Sequence, residues 1–142
     1  MEPQLVEGYV APGKVRFEYR DYAFLGPESG LAAEAAVCAE EQDQFWQFHD
    51  TVFANQGREN TGNITEPRLR QMAEAIGLDL TAYDECMASD RPEQHVEADL
   101  AEARQLGVTG TPSVFVNGQK IDWQGWDGLK QEIDAALADQ GA

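Results

Sequence analysis

The spacing of hydrophobic and polar positions changes period along the chain, and the changes mark out its elements. Near the start, Leu5, Val6 and Tyr9 recur at helical spacing, which predicts the last turns of a helix over residues 2–9. Pro12-Gly13 then punctuates. Val15, Phe17 and Tyr19 alternate with Arg16, Glu18 and Arg20, the period of a strand with one wetter face. Asp21 to Gly30 reads as a loop broken at Gly26-Pro27, with Ser29 as the cap of a helix over about Leu31–Glu41 that carries Leu31, Ala35 and Cys38 on one stripe.

From there to Leu106 the period stays helical. The pattern predicts a helix over Phe45–Asn55, a polar loop over Gln56–Asn63, and a helix capped by Thr65 with Pro67 in its first turn and Gly77 at its end. A short helix follows from Thr81 through Met87, with Asp84 as a weaker capping-box partner. The last helix of this block opens at Asp90-Arg91-Pro92-Glu93 and stops at Gly107. The period then turns to that of strands. Ser113-Val114-Phe115-Val116 is a short apolar run, Asn117-Gly118 is a two-residue hairpin signal, and Gln119 to Trp123 is the return strand. Trp126, Leu129, Ile133 and Leu137 define a final amphipathic helix over Trp126–Ala138, with Trp123 and Trp126 expected to pin it to the hairpin.

Composition narrows the classes. The 142 residues suit one domain, and 42% hydrophobic residues suffice for a packed core. No apolar run approaches the ~20 residues of a membrane span. The segment Met-Glu-Pro-Gln-Leu-Val-Glu has no basic region followed by an apolar stretch, so no signal peptide is expected within this sequence. With 26 acidic and 10 basic side chains the net charge is −16, which repels phosphate backbones and anionic lipid; neither nucleic acid nor membrane is an expected partner.

Few residues carry candidate chemistry. Cys38, His49, Cys86 and His95 could be imagined as a zinc set, but their spacings fit no short metal-ligand pattern. His49 reads as a core or boundary histidine and His95 as exposed. Phe45, Trp46, Phe48 and Phe53 fall on more than one face of their helix and read as core rather than as a ligand box. Glu40, Glu41, Glu93, Glu97, Asp99 and Glu102 read as solvated surface charge rather than paired acid/base catalysts. Asn63-Ile64-Thr65 matches a glycosylation triplet, though Thr65 as a helix cap accounts for it better.

One segment is more specific. Val108-Thr109-Gly110-Thr111-Pro112-Ser113-Val114-Phe115-Val116-Asn117-Gly118 places a Thr-Pro bond just before an apolar strand and a hairpin turn. It resembles the cis-proline loop and terminal hairpin of the thioredoxin superfamily. The helical block ahead of it narrows the resemblance to the DsbA-like thiol-disulfide oxidoreductases. Gly13-Lys14-Val15-Arg16, Tyr19-Arg20-Asp21, Ala35-Ala36-Val37-Cys38, Phe45-Trp46-Gln47-Phe48-His49-Asp50 and Phe53-Ala54-Asn55-Gln56 are similar to the same branch, so the resemblance covers nearly the whole chain.

The resemblance implies an α/β thioredoxin-like fold formed by residues 1–28 and 107–142, with 29–106 as an inserted helical block. It implies a cis bond at Thr111-Pro112 and a role for these two residues in holding an extended protein or peptide substrate. It implies no cofactor, and an extracytoplasmic, periplasmic-type location. The family's redox Cys-x-x-Cys does not occur in this sequence. On this reading the first strand, the redox pair and the start of the first helix lie ahead of residue 1. The chain is then expected to be inactive by itself and to expose interior strand edges that invite a second copy. Cys38 and Cys86 are expected to form a structural disulfide, as in relatives with a second, non-catalytic pair; two buried free thiols, or a redox or metal role, are the alternatives. A non-catalytic thioredoxin-like binding module competes with the oxidoreductase reading. A glutathione-transferase or isomerase relative is the weaker alternative.

Overall fold

A glycine and a proline start the helix with the most buried residues. In the computed structural model, which describes residues 2–122 and 124–141, Gly26 has φ 118° and Pro27 occupies the first helical turn. L side chains rarely adopt that φ, and a Cβ here would also lie 2.7 Å from Asn60 Oδ1. The helix therefore begins four residues earlier than the periodicity suggests, and Ser29 lies inside it rather than capping it.

The elements are α1 (Glu2–Leu5), a π-helical turn (Val6–Val10), α2 (Pro27–Glu40), α3 (Phe45–Asn55), α4 (Glu66–Ala75), α5 (Leu80–Met87), α6 (Arg91–Gln105), β1 (Val114–Val116), β2 (Gln119–Ile121) and α7 (Gly125–Gln140). They fall into two compact units. One runs from Arg20 to Gly107; the other combines the chain up to Tyr19 with the chain from Val108 onward.

The 20–107 unit is entirely helical. Alanines at 33, 35, 36 and 39 leave α2 without bulk on several sides, and α3, α4, α5 and α6 all pack against it. Its core joins Ala35, Ala39, Phe48, Leu69, Ala73 and the two cysteines, each about 1% exposed or less. Cys38 and Cys86 form a disulfide with their Cα atoms 5.7 Å apart, tying α2 to α5. Polar contacts set the corners. Thr65 caps α4 by accepting from the N–H of Arg68, as its sequence position indicates. Asp79, not Thr81, caps α5 by accepting from the N–H of Ala82. Gln42 and Asp79 exchange two hydrogen bonds of 3.1 and 2.8 Å. Glu28, expected in a loop, sits in the first turn of α2. Its carboxylate accepts from the N–H groups of Ile64 and Gly62, which hold its pKa below the usual carboxylate range and fix the end of the polar loop.

The second unit packs α1, the π turn and α7 around Leu5, Tyr9, Leu129 and Ile133, with Val15, Phe17, Val114, Val116 and Ile121 closing the cluster. Tyr9 donates to Asp134 at 2.6 Å and meets Trp126 edge-on. β1 and β2 form an antiparallel hairpin pairing Val114 with Ile121, Phe115 with Lys120 and Val116 with Gln119. Trp123, expected in the return strand, lies outside the described residues.

The expected strand over Val15–Tyr19 is not a strand: among the described residues the sheet is β1–β2 alone. The alternation is realised only as far as Glu18: Val15 and Phe17 are partly buried and Arg16 and Glu18 exposed, but Tyr19, expected on the inner face, is 38% exposed. Alternating polarity encodes an extended, half-buried segment, whereas a strand also needs a regular ladder with a neighbour. No described helix is long and apolar enough to cross a membrane.

Replacing both cysteines by alanine removes a cross-link closing a 48-residue separation. The expected loss is about 4 kcal/mol in the chain-entropy account. Urea unfolding of the 20–107 helices checks it, and an unchanged midpoint contradicts it.

Candidate functional site

The first candidate is the loop that leads into β1. Thr109, Gly110, Thr111 and Pro112 carry the chain there, with a cis peptide bond between Thr111 and Pro112. The Ser113 hydroxyl donates to the Gly110 carbonyl at 2.8 Å and braces the turn from below. Thr111 and Pro112 are exposed, while Ser113 to Val116 are half-buried. An open depression of about 290 Å³ lies beside the loop, bordered by Thr109, Gly110, Pro112, Val114, Lys120 and Asp122. It offers backbone groups, one cation and one anion.

The hairpin fixes which backbone groups face outward. Asn117 and Gly118 both have positive φ, 50° and 78°, the signature of a two-residue type I′ turn. Val116 and Gln119 next to such a turn form a hydrogen-bonded pair, so Phe115 and Lys120 form the non-bonded pair that follows. The N–H and C=O of Phe115 therefore point away from β2, toward an edge that carries no other strand of the sheet among the described residues.

Cys38 and Cys86 are each 1% exposed and bonded to each other. A thiolate needs exposure to react, and these sulfurs have almost none. The imagined zinc set is not assembled. His49 lies with Nδ1 3.0 Å from Asp50 Oδ1 and its ring against Phe53, and His95 is exposed. Among the described residues no three His, Cys, Asp or Glu side chains are placed to hold a metal. The aromatic reading of α3 needs correction. Phe48 is fully buried, with Phe45 and Val52 packed beside it, but Trp46 and Phe53 are 37% and 53% exposed. Positions 45, 48 and 52 share one stripe, and 46, 49 and 53 lie on the next.

The acids also separate. Glu40, Glu41, Glu93, Glu97 and Glu102 are exposed, and Glu41 forms a two-point ion pair with Arg91 at 3.1 and 3.0 Å. Asp99 does not fit that reading: it is 7% exposed. With Pro92 and Val96 it continues the buried stripe of α6, and that stripe position was the available signal. The N–H of Asp21 donates to Asp99 Oδ2 at 2.9 Å, and Arg20 stands 3.7 Å from Asp99 and 3.8 Å from Glu102. Burial, then the charge of Asp99, raise the Asp21 pKa from 3.8 to about 6.

Ser113→Ala removes the brace beneath the loop. It is expected to cost about 1 kcal/mol and to move the amide resonances of Gly110 and Thr111; an unchanged loop spectrum contradicts the bracing role.

Comparison with known proteins follows the same lines. The family model described as thioredoxin matches residues 1–135. The chain is similar to the probable disulfide bond formation protein D of Bacillus anthracis, with 32% identity over 139 residues, 95% of this chain and 64% of that protein. It therefore spans just under two thirds of that relative's length. Its fold is similar to that of oxidised BdbD from Bacillus subtilis, with a TM-score of 0.85 at 24% identity, covering 96% of this chain and 76% of that one. A thioredoxin-like oxidoreductase from Silicibacter pomeroyi is similar at a TM-score of 0.73 and 29% identity, with coverage again of 96% and 76%.

Proposed function

Because the chain belongs to the thioredoxin superfamily, on its DsbA-like branch, we propose that it is the substrate-positioning part of a thiol-disulfide oxidoreductase that acts on protein thiols. The observation that carries this reading is the exposed Thr111-Pro112 pair at the head of β1, beside a strand edge whose Phe115 backbone groups point outward. An extended substrate segment adds to such an edge through main-chain hydrogen bonds, with Thr111 and Pro112 setting where it begins. Residues 29–106 are then the helical block inserted into the thioredoxin-like part, 1–28 and 107–142.

Thiol-disulfide exchange needs a reactive pair. A thiolate of the substrate attacks one sulfur of the enzyme's disulfide, forming a mixed disulfide and releasing the other enzyme sulfur as a thiolate. The second substrate thiolate then displaces the remaining enzyme sulfur, so the substrate dithiol loses two electrons and the enzyme disulfide gains them. Within these 142 residues there is no Cys-x-x-Cys, and Cys38 and Cys86 are sealed in a core. A protein of this sequence alone binds substrate segments without turning them over. The sealed pair also favours a second reading, a binding module that captures chains at the same edge. A disulfide-containing core suits an oxidising, extracytoplasmic location.

Two measurements test the reading. Insulin reduction and dithiol oxidation by the 142-residue chain should show no turnover; turnover that persists in the Cys38→Ser/Cys86→Ser double variant overturns the mechanism. Titration with an extended, reduced cysteine-containing peptide should move the amide resonances of Thr111, Ser113 and Phe115, and an unperturbed β1 overturns the site. The same edge suits a second copy, so self-association in sedimentation should weaken as the peptide is added; dimers insensitive to peptide place self-association elsewhere.

A further inference from the structure

We propose that the groove between the hairpin tip and α7 docks an extended, basic segment of another protein, one that carries an apolar side chain between two arginines or lysines. The proposal is independent of the thiol chemistry above. The groove lies at the turn end of β1, the end away from Thr111-Pro112. Its volume is about 340 Å³. That is the small end of the roughly 300–1,000 Å³ of ligand pockets, and it suits one or two side chains on an extended backbone.

Two elements build the walls. Glu132, Ala135, Ala136 and Asp139 border the groove from α7, and their helical spacing makes them one continuous stripe. The short side chains of Ala135 and Ala136 leave room beside Val116 and Ile121 of the hairpin, both half-buried. A leucine-sized side chain laid against these four residues removes apolar surface from water.

Charge selects the occupant. Glu132 and Asp139 stand at the two ends of the stripe, and no lysine or arginine borders the groove. The acids of α7 divide in their use. Asp134 accepts from Tyr9 and pairs with Lys130, whereas Glu132 and Asp139 have no ion-pair partner among the described residues. Seven residues of helix rise about 10 Å. Residues three apart in a polyproline-like chain lie on one side, about 9 Å apart. Two basic residues at that spacing meet both carboxylates, and a residue between them turns toward the hairpin. A second copy of this chain, with its net charge of −16, is repelled instead.

NMR titration of the 142-residue chain with acetyl-Arg-Leu-Pro-Arg-amide tests the site. The amides of Val116 and Ala136 should shift. Glu132→Gln/Asp139→Asn should weaken binding about fivefold. Ala135→Leu fills the groove from an exposed helix position and should weaken it about tenfold with the fold unchanged. Acetyl-Arg-Ser-Pro-Arg-amide keeps the charge but lacks the apolar side chain, and should bind about fivefold more weakly. Equal binding of the two peptides reveals diffuse attraction to an acidic chain and overturns the proposal. So does a titration that leaves Val116 and Ala136 unmoved, or an affinity that neither variant alters. Self-association in sedimentation that Ala135→Leu abolishes assigns the groove to a second copy and likewise overturns it.

Discussion

The helical unit depends on how closely other helices can approach α2. Ala33, Ala35, Ala36 and Ala39 give that helix so little bulk that α3, α4, α5 and α6 all reach it. Leucines in their place would overfill a core already closed by Phe48, Leu69 and Met72. Cys38 completes the arrangement by bonding to Cys86 within the same buried cluster. Both cysteines are about 1% exposed, and thiol exchange requires an approach path for the attacking sulfur.

The remaining candidate chemistry is then positional. The Thr111-Pro112 loop and β1 contribute backbone hydrogen-bonding groups and a shallow polar depression rather than a nucleophile. That is the composition expected of a surface that recognises extended chain by its main chain, tolerant of side-chain identity. A net charge of −16 resists non-specific association with other acidic surfaces.

The sequence was most informative where a local rule has one solution. Asn117-Gly118 forces a type I′ hairpin, Thr65 caps α4, and the Thr111-Pro112 segment with its neighbours carries the resemblance to the superfamily. It was least informative where a third dimension decides. Val15–Tyr19 alternates like a strand, but alternation says nothing about the ladder. Ser29 and Thr81 resemble caps, but Gly26 starts α2 because its φ of 118° suits glycine, and Asp79, itself a favoured cap residue, stands nearer the start of α5 and accepts from the Ala82 N–H. Asp99 resembled its exposed acidic neighbours, and only its register with Pro92 and Val96 on α6 reveals that it is buried. Trp46 and Phe53 failed in the opposite sense, since aromaticity predicted burial and their stripe on α3 did not provide it.

The division between structural cysteines and positional chemistry is the centre of this account. It is tested most directly by incubating the folded chain in glutathione redox buffers and following Cys38–Cys86 by alkylation and mass spectrometry. The account predicts that the pair exchanges only as fast as the 20–107 helices unfold, with denaturant accelerating both processes together. Rapid exchange in the folded chain, without unfolding, would make Cys38 and Cys86 a working redox pair and contradict it.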